Sequence, residues 1–168
     1  MEVLLEELQA GMLDERDLIR FSFRLTVATL LGAILGYQRQ IAGKDAGLRT
    51  HMLVAAGAAL LVAAPQAAGM HIADLSRVIQ GAITGIGFLG AGAILKREYK
   101  DIVLGLTTAA GIWLTAAIGL AVGIGQVAVA ALGTVLGWFV LASVGHLERR
   151  HALRSEPTIV TEDDRRAR

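Results

Sequence analysis

The stretch Gln80-Gly-Ala-Ile-Thr-Gly-Ile-Gly-Phe-Leu-Gly-Ala-Gly-Ala-Ile-Leu95 decides how the rest of the chain is read. No charge occurs between Val78 and Leu95, and Gly81, Gly85, Gly87, Gly90 and Gly92 all fall inside it. In water each interior glycine costs a helix about 1 kcal/mol relative to alanine. In a bilayer no solvent competes for the backbone groups, and a bare backbone lets a neighbouring helix come close. Gly81 and Gly85 stand at small-xxx-small spacing. The stretch reads as a central membrane helix, packed on several sides by others. It also holds a decoy. Gly85-Ile-Gly-Phe-Leu-Gly90 spells the dinucleotide fingerprint, which needs a preceding strand, a soluble helix and an acidic residue about 20 positions on. Here the apolar run continues upstream and the nearest candidate acid, Asp101, lies in a charged loop, so the nucleotide reading is set aside.

Outward from this segment the same segregation repeats. Hydrophobic residues make up 54% of the chain and charged residues 18%, and the charges gather in short clusters between long apolar runs. That pattern marks an all-α, polytopic membrane bundle. Five transmembrane helices are expected: Phe21 to Tyr37, Leu48 to Ala64, Val78 to Leu95, Ile102 to Val122 and Gln126 to Gly145. The first carries Gly32 and Gly36 at G-x-x-x-G spacing, and Arg24 near its start is free to snorkel to the interface. The second is expected to end before Pro65. Asp74 and Ser76 are candidate N-caps for the third. The three-residue gap Gly123-Ile-Gly125 makes the last two an antiparallel hairpin.

Three regions follow: residues 1–20, a short N-terminal amphipathic helix; 21–147, the transmembrane domain; and 148–168, a charged tail expected to be disordered beyond Arg154. The N-terminus is acidic (Glu2, Glu6, Glu7), unlike the basic start of a cleavable signal. Five spans put the termini on opposite sides. Arg39, Lys44, Arg49, Lys96, Arg97, Lys100 and the basic residues of the tail share one side, against Arg16, Arg20, Arg24 and Arg77. The positive-inside rule then places the N-terminus outside and the C-terminus in the cytoplasm.

No Asp or Glu falls within any proposed span. A path for divalent cations needs oxygen ligands, often carboxylates, at membrane depth. Gln80, Thr84, Thr107, Thr108 and Thr115 offer neutral oxygens, although threonine in a membrane helix commonly bonds its own backbone. The four histidines, His51, His71, His146 and His151, show no ligand spacing, and there is no cysteine. No cofactor, nucleic acid or catalytic constellation is expected, and a metal ligand set is not assignable. The expected partners are the lipid bilayer and a membrane protein or a second copy of the chain. Polar residues at helix ends carry more information. Arg49 opens the second span, and Asp74 and Arg77 stand at i, i+3 spacing where they can pair.

Five ordered blocks carry a resemblance: Gly36-Tyr-Gln-Arg39, Ala46-Gly-Leu-Arg-Thr-His-Met-Leu-Val-Ala-Ala-Gly57, Asp74-Leu-Ser-Arg-Val78, Gly85-Ile-Gly-Phe-Leu-Gly-Ala-Gly-Ala-Ile94 and Gly105-Leu-Thr-Thr-Ala-Ala110. Together they resemble the MgtC/SapB family of bacterial inner-membrane proteins, over roughly Phe23 to Gly145. The short tail resembles the SapB-type branch without a soluble C-terminal domain. The resemblance implies five spans, an external N-terminus and adaptation to low magnesium. Virulence-linked members restrain the F-type ATP synthase and are not thought to transport magnesium themselves. Leu104 stands where the family usually has a basic residue, and the loop Lys96 to Ile102 is longer than in those members, so that role is not carried over. The reading is a non-enzymatic regulator of a membrane partner in magnesium or ion homeostasis, with a small oligomeric ion transporter or channel as the alternative. Candidate functional residues are Arg39, Arg49, Asp74, Arg77, Gln80, Thr107 and Thr108. Gly32, Gly36, Gly81, Gly85, Gly87, Gly90 and Gly92 are the expected packing residues. In the transporter reading Arg49, Gln80, Thr84 and Thr107 line a path whose cationic entrance suits an anion better than Mg2+.

Overall fold

A computed structural model describes residues 1, 3–4, 14–97 and 102–154. Its elements are α1 (Glu15–Ile41), α2 (Leu48–Ala67), α3 (Leu75–Gly92), a hairpin of β1 (Leu95–Arg97) and β2 (Ile102–Leu104), α4 (Leu106–Gly123) and α5 (Val127–Arg154). The fold is an all-α bundle. Short connections make successive helices run in alternating directions, so the α1–α2 connection, the β-hairpin and the start of α4 share one end. That end is called the hairpin end below, and the opposite one the far end.

Buried positions are mostly small, with Ala28, Ala55, Ala58, Ala59 and Ala63 almost without solvent contact, while Phe23, Leu30, Leu53, Phe88, Leu132 and Phe139 point outward. A water-soluble domain would sort these the other way. In lipid the tails solvate large side chains, and helix contacts use small ones. Helices α1, α2 and α4 are long and apolar enough to cross a membrane, and α5 contains the apolar stretch Val127–Ser143. This is a membrane protein. Helix α3 is not among those three. Its glycines, Arg77 and Gln80 lower its mean hydropathy.

The hub is α4 rather than the glycine-rich α3. It packs against all four other helices, and its buried residues include Gly111, Thr115, Gly119 and Gly123, one small residue every four along a single face. A Cβ added at Gly119 would fall on the Ala55 carbonyl oxygen, and one at Gly123 would lie 2.6 Å from the Ala59 carbonyl oxygen. From the other side α1 presses Gly32 and Gly36 onto α2, where added Cβ atoms would lie 2.6 Å from the His51 carbonyl oxygen and 2.8 Å from Leu48 Cα. Helix α2 is therefore held between two glycine faces, with its alanines as the filling.

Helix α3 lies at the periphery. It reaches the bundle through Val78, Ile79, Ala82 and Ile86, which pack on Ala58, Val62, Ala116 and Leu120. Cβ atoms added at Gly81, Gly85, Gly87 and Gly92 would meet nothing within 4 Å, and one at Gly90 would make an ordinary 3.8 Å contact with Ala109. The expectation of a central α3 packed on several sides is thus corrected for this chain. Its bare faces leave an apolar groove of about 810 Å³ between α2, α3 and α4, with Leu53, Gly57, Gly81 and Gly85 on its walls.

Other boundaries shift for local reasons. The helix α1 starts at Glu15, so residues 15–20 continue into the first span rather than forming a separate segment; most of the expected N-terminal amphipathic helix lies outside the described residues. Pro65 sits inside α2, which runs on to Ala67. Its own carbonyl accepts from the Met70 N–H at 2.9 Å, and the Ala68 N–H closes the helix on Ala64. Asp74 occupies the N-cap of α3 without a side-chain bond, and the Ser76 hydroxyl donates to the Ala73 carbonyl instead. The sequence did not announce the hairpin, which pairs Leu95 with Leu104 and Arg97 with Ile102. It ends at Gly105, whose φ of +89° and contact with the Ala93 carbonyl leave no room for a side chain. The tail expectation for residues 155–168 lies outside the described residues, while 148–154 are helical.

Candidate functional site

At the hairpin end, three helices bring polar groups under cover. Arg39 leaves α1 two residues before its end and is 3% exposed. Its Nη2 donates to Thr108 Oγ1, in the first turn of α4, at 2.5 Å. His51 lies in the first turn of α2, 0% exposed, with Nδ1 3.0 Å from the Gly47 carbonyl oxygen. A carbonyl only accepts, so Nδ1 carries the hydrogen and a neutral ring leaves Nε2 bare. Glycines make the junction possible. A Cβ added at Gly36 would meet the Cβ of His51, and one added at Gly111 of α4 would lie 3.5 Å from Nε2. Gly36 lies three residues before Arg39 and Gly111 three after Thr108, so both helices turn one small face towards His51.

Three buried polar atoms here have no partner: Arg39 Nε, His51 Nε2 and Gln38 Oε1. Gln38 turns away towards α5, where its Nε2 donates to the Leu141 carbonyl at 3.0 Å. Among the described residues the sole ion pair is the exposed Arg20–Asp17 contact, at 3.3 Å. Arg39 therefore has no carboxylate within ion-pair distance among the described residues; Asp45, exposed on the α1–α2 connection, is near enough to act on it electrostatically but not to bond. Guanidinium cannot discharge this cost by losing a proton.

Of the residues singled out from sequence, Arg39 and Thr108 meet. Arg49, Asp74, Arg77, Gln80 and Thr107 are exposed, and Asp74 and Arg77 do not approach within ion-pair distance. Arg49 stands at the hairpin end and Gln80 near the far end, both on the exposed surface of their helices. Thr84 and Thr115 donate to the carbonyls of Gln80 and Gly111, four residues back in their own helices. Among the described residues no group of three or more His, Asp or Glu could hold a metal ion.

Sequence reasoning gave Arg24 no role, and the structure corrects this. At the far end its Nη1 donates to Gln66 Oε1 at 2.9 Å and to the Gly123 carbonyl at 2.8 Å, tying α1 to the ends of α2 and α4. The same guanidinium lies against Gly125, where φ is +95°. Nothing local signals this, because the partners are 42 and 99 residues away. Arg24→Ala is expected to lower stability by about 2 kcal/mol, the size of bonds to a charged donor. Thermal melting in detergent checks it, with exposed Arg49→Ala expected to melt like the wild type.

Comparison with known proteins adds the family. The profile of the MgtC family matches residues 25–150. Protein SrpB of Synechococcus elongatus is 44% identical over 84% of this chain and 84% of its own length. YhiD of Escherichia coli K12, named as a candidate magnesium transporter, is 40% identical over 72% of this chain and 59% of its own. Protein MgtC of Brucella abortus is 43% identical over 66% of this chain and 45% of its own. The chain thus spans most of the first relative but about half the length of the others. No solved structure gives a significant match.

Proposed function

The chain belongs to the MgtC family, and from that premise we propose that it is a non-enzymatic regulator, acting on a membrane partner in magnesium or ion homeostasis and in adaptation to low magnesium. It does so in the bacterial inner membrane, with the N-terminus outside and the hairpin end towards the cytoplasm. The observation that carries this reading is the buried Arg39, joined to Thr108 across α1 and α4 with no carboxylate among the described residues within ion-pair distance. A charge so placed is poor cement, since an apolar side chain of similar volume often holds as well or better. Such a charge is worth keeping if the junction has to change state. The junction stands directly beneath the α1–α2 connection and the hairpin, the surfaces a partner would reach. The described parts of the expected spans hold no carboxylate to pass a divalent cation along.

Crosslinking in native membranes at near-native expression tests this reading. A specific partner, lost when residues of the connection are changed, supports it. Recovery of no specific partner contradicts it. The name of the E. coli relative favours a second reading, a small oligomeric ion transporter or channel. Flux in proteoliposomes no greater than background for Mg2+, K+ and simple anions would remove that one.

A further inference from the structure

We propose that the junction of α1, α2 and α4 binds a small monovalent anion of the chloride class between Arg39 Nε and His51 Nε2, taken up together with a proton on His51. The inference goes beyond the regulatory reading and does not depend on it.

The argument begins with charge. Arg39 is cationic at any accessible pH, is 3% exposed and has no carboxylate within ion-pair distance among the described residues. Buried ions are paired in folded proteins, because a lone charge in a poorly polarisable interior is far from its best state. Thr108 supplies a hydroxyl dipole and no charge. The Nε–H, the donor nearest the stem of the guanidinium, is left without an acceptor. A bound anion would answer both at once.

His51 supplies the second, independent sign. Its ring is wholly buried and Nε2 has no partner. With Nδ1–H committed to the Gly47 carbonyl, Nε2 must be either a bare lone pair or, after proton uptake, an N–H donor. A bare lone pair leaves an unmet acceptor in the same junction as an unmet donor. A proton there creates a second cation beside Arg39, which is tolerable only with an anion present. One proton and one monoanion arriving together answer both, adding no net charge to the junction. Gly111 of α4 presents only backbone towards Nε2, where an added Cβ would lie 3.5 Å away.

Among the described residues the charged groups around His51 are few. Helix α1 contributes Arg39, the connection contributes the exposed Lys44 and Asp45, α2 itself contributes the exposed Arg49, and the first turn of α4 contributes the uncharged Thr107 and Thr108. None is a buried competitor for the proton. Coverage of both donors selects a compact, desolvated ion over a nucleotide or a lipid headgroup, each too bulky for a closed junction.

The test is chlorine-35 NMR on the purified wild-type chain in detergent micelles. Bound chloride broadens the bulk resonance, and bromide competes for the same site. Broadening beyond that of empty micelles is expected, suppressed by bromide, lost in Arg39→Met and stronger at pH 6 than at pH 8. With one linked proton the apparent affinity falls by up to about tenfold per pH unit on the alkaline side. Broadening in the wild type no greater than in empty micelles overturns the proposal and assigns the junction to water, whether or not Arg39→Met folds. Broadening that survives in Arg39→Met overturns the assigned site. Equal broadening at both pH values overturns the linked proton.

Discussion

Gly119→Val and Gly123→Val are each expected to prevent the chain from accumulating as a folded membrane protein. A side chain at Gly119 would occupy the place of the Ala55 carbonyl oxygen, and one at Gly123 would strike Val62 and the Ala59 backbone. These neighbours are helix backbone, which cannot swing aside as a flexible side-chain tip can. Overpacking of this kind costs about 3 kcal/mol or more, and separating α2 from α4 would also open the core formed by Ala55, Ala59, Ile118 and Val122. Gly85→Val is the matched control, since an added Cβ there meets nothing within 4 Å. Membrane accumulation and thermal melting in detergent should show two severe losses and one protein close to wild type. An equal loss in Gly85→Val would contradict the placement of α3 at the periphery.

The second large effect separates stability from function at Arg39. Thr108→Val removes the hydroxyl and leaves the guanidinium buried without the bond from Nη2 to Thr108. Breaking a buried polar pair from one side costs about 3 kcal/mol, so this variant should melt well below the wild type. Arg39→Met removes the charge itself and keeps a flexible side chain of useful volume. It should melt at or above the wild-type temperature, because the cost of burying the cation goes with it. Paired melting curves check the contrast. If Arg39→Met unfolds as readily as Thr108→Val, the arginine is structural cement and its retention needs no functional reason.

Much of the fold is legible in the sequence because membrane helices announce themselves locally. Charge segregation gave the helix order, and Gly32 and Gly36 identified a close contact from spacing alone. The misjudged element was α3, where glycine density was taken for centrality. Glycine permits close approach without compelling it, and nothing in a single sequence says whether a partner helix lies in the same chain. The better signal was the row Gly111, Thr115, Gly119, Gly123, which repeats every four residues beside a partner, α2, rich in alanine at the matching period. The candidate site was half legible. Arg39 and Thr108 drew notice as polar residues near helix ends, but their meeting depends on how α1 and α4 cross. His51 was dismissed for lacking metal-ligand spacing, yet its interest lies in one orphaned nitrogen that only tertiary structure reveals. Arg24 was discounted because a snorkelling arginine and a clamping one look alike until their distant partners are known.

The central claim is that Arg39 is kept for function and not for the fold. Its most direct test is growth in low magnesium of a strain lacking the gene, complemented by the wild type or by Arg39→Met at equal membrane abundance. Membrane potential and cellular ATP are followed in parallel. The account predicts that the wild type restores growth together with potential or ATP, while Arg39→Met inserts, melts normally and restores neither. Full complementation by Arg39→Met would contradict it.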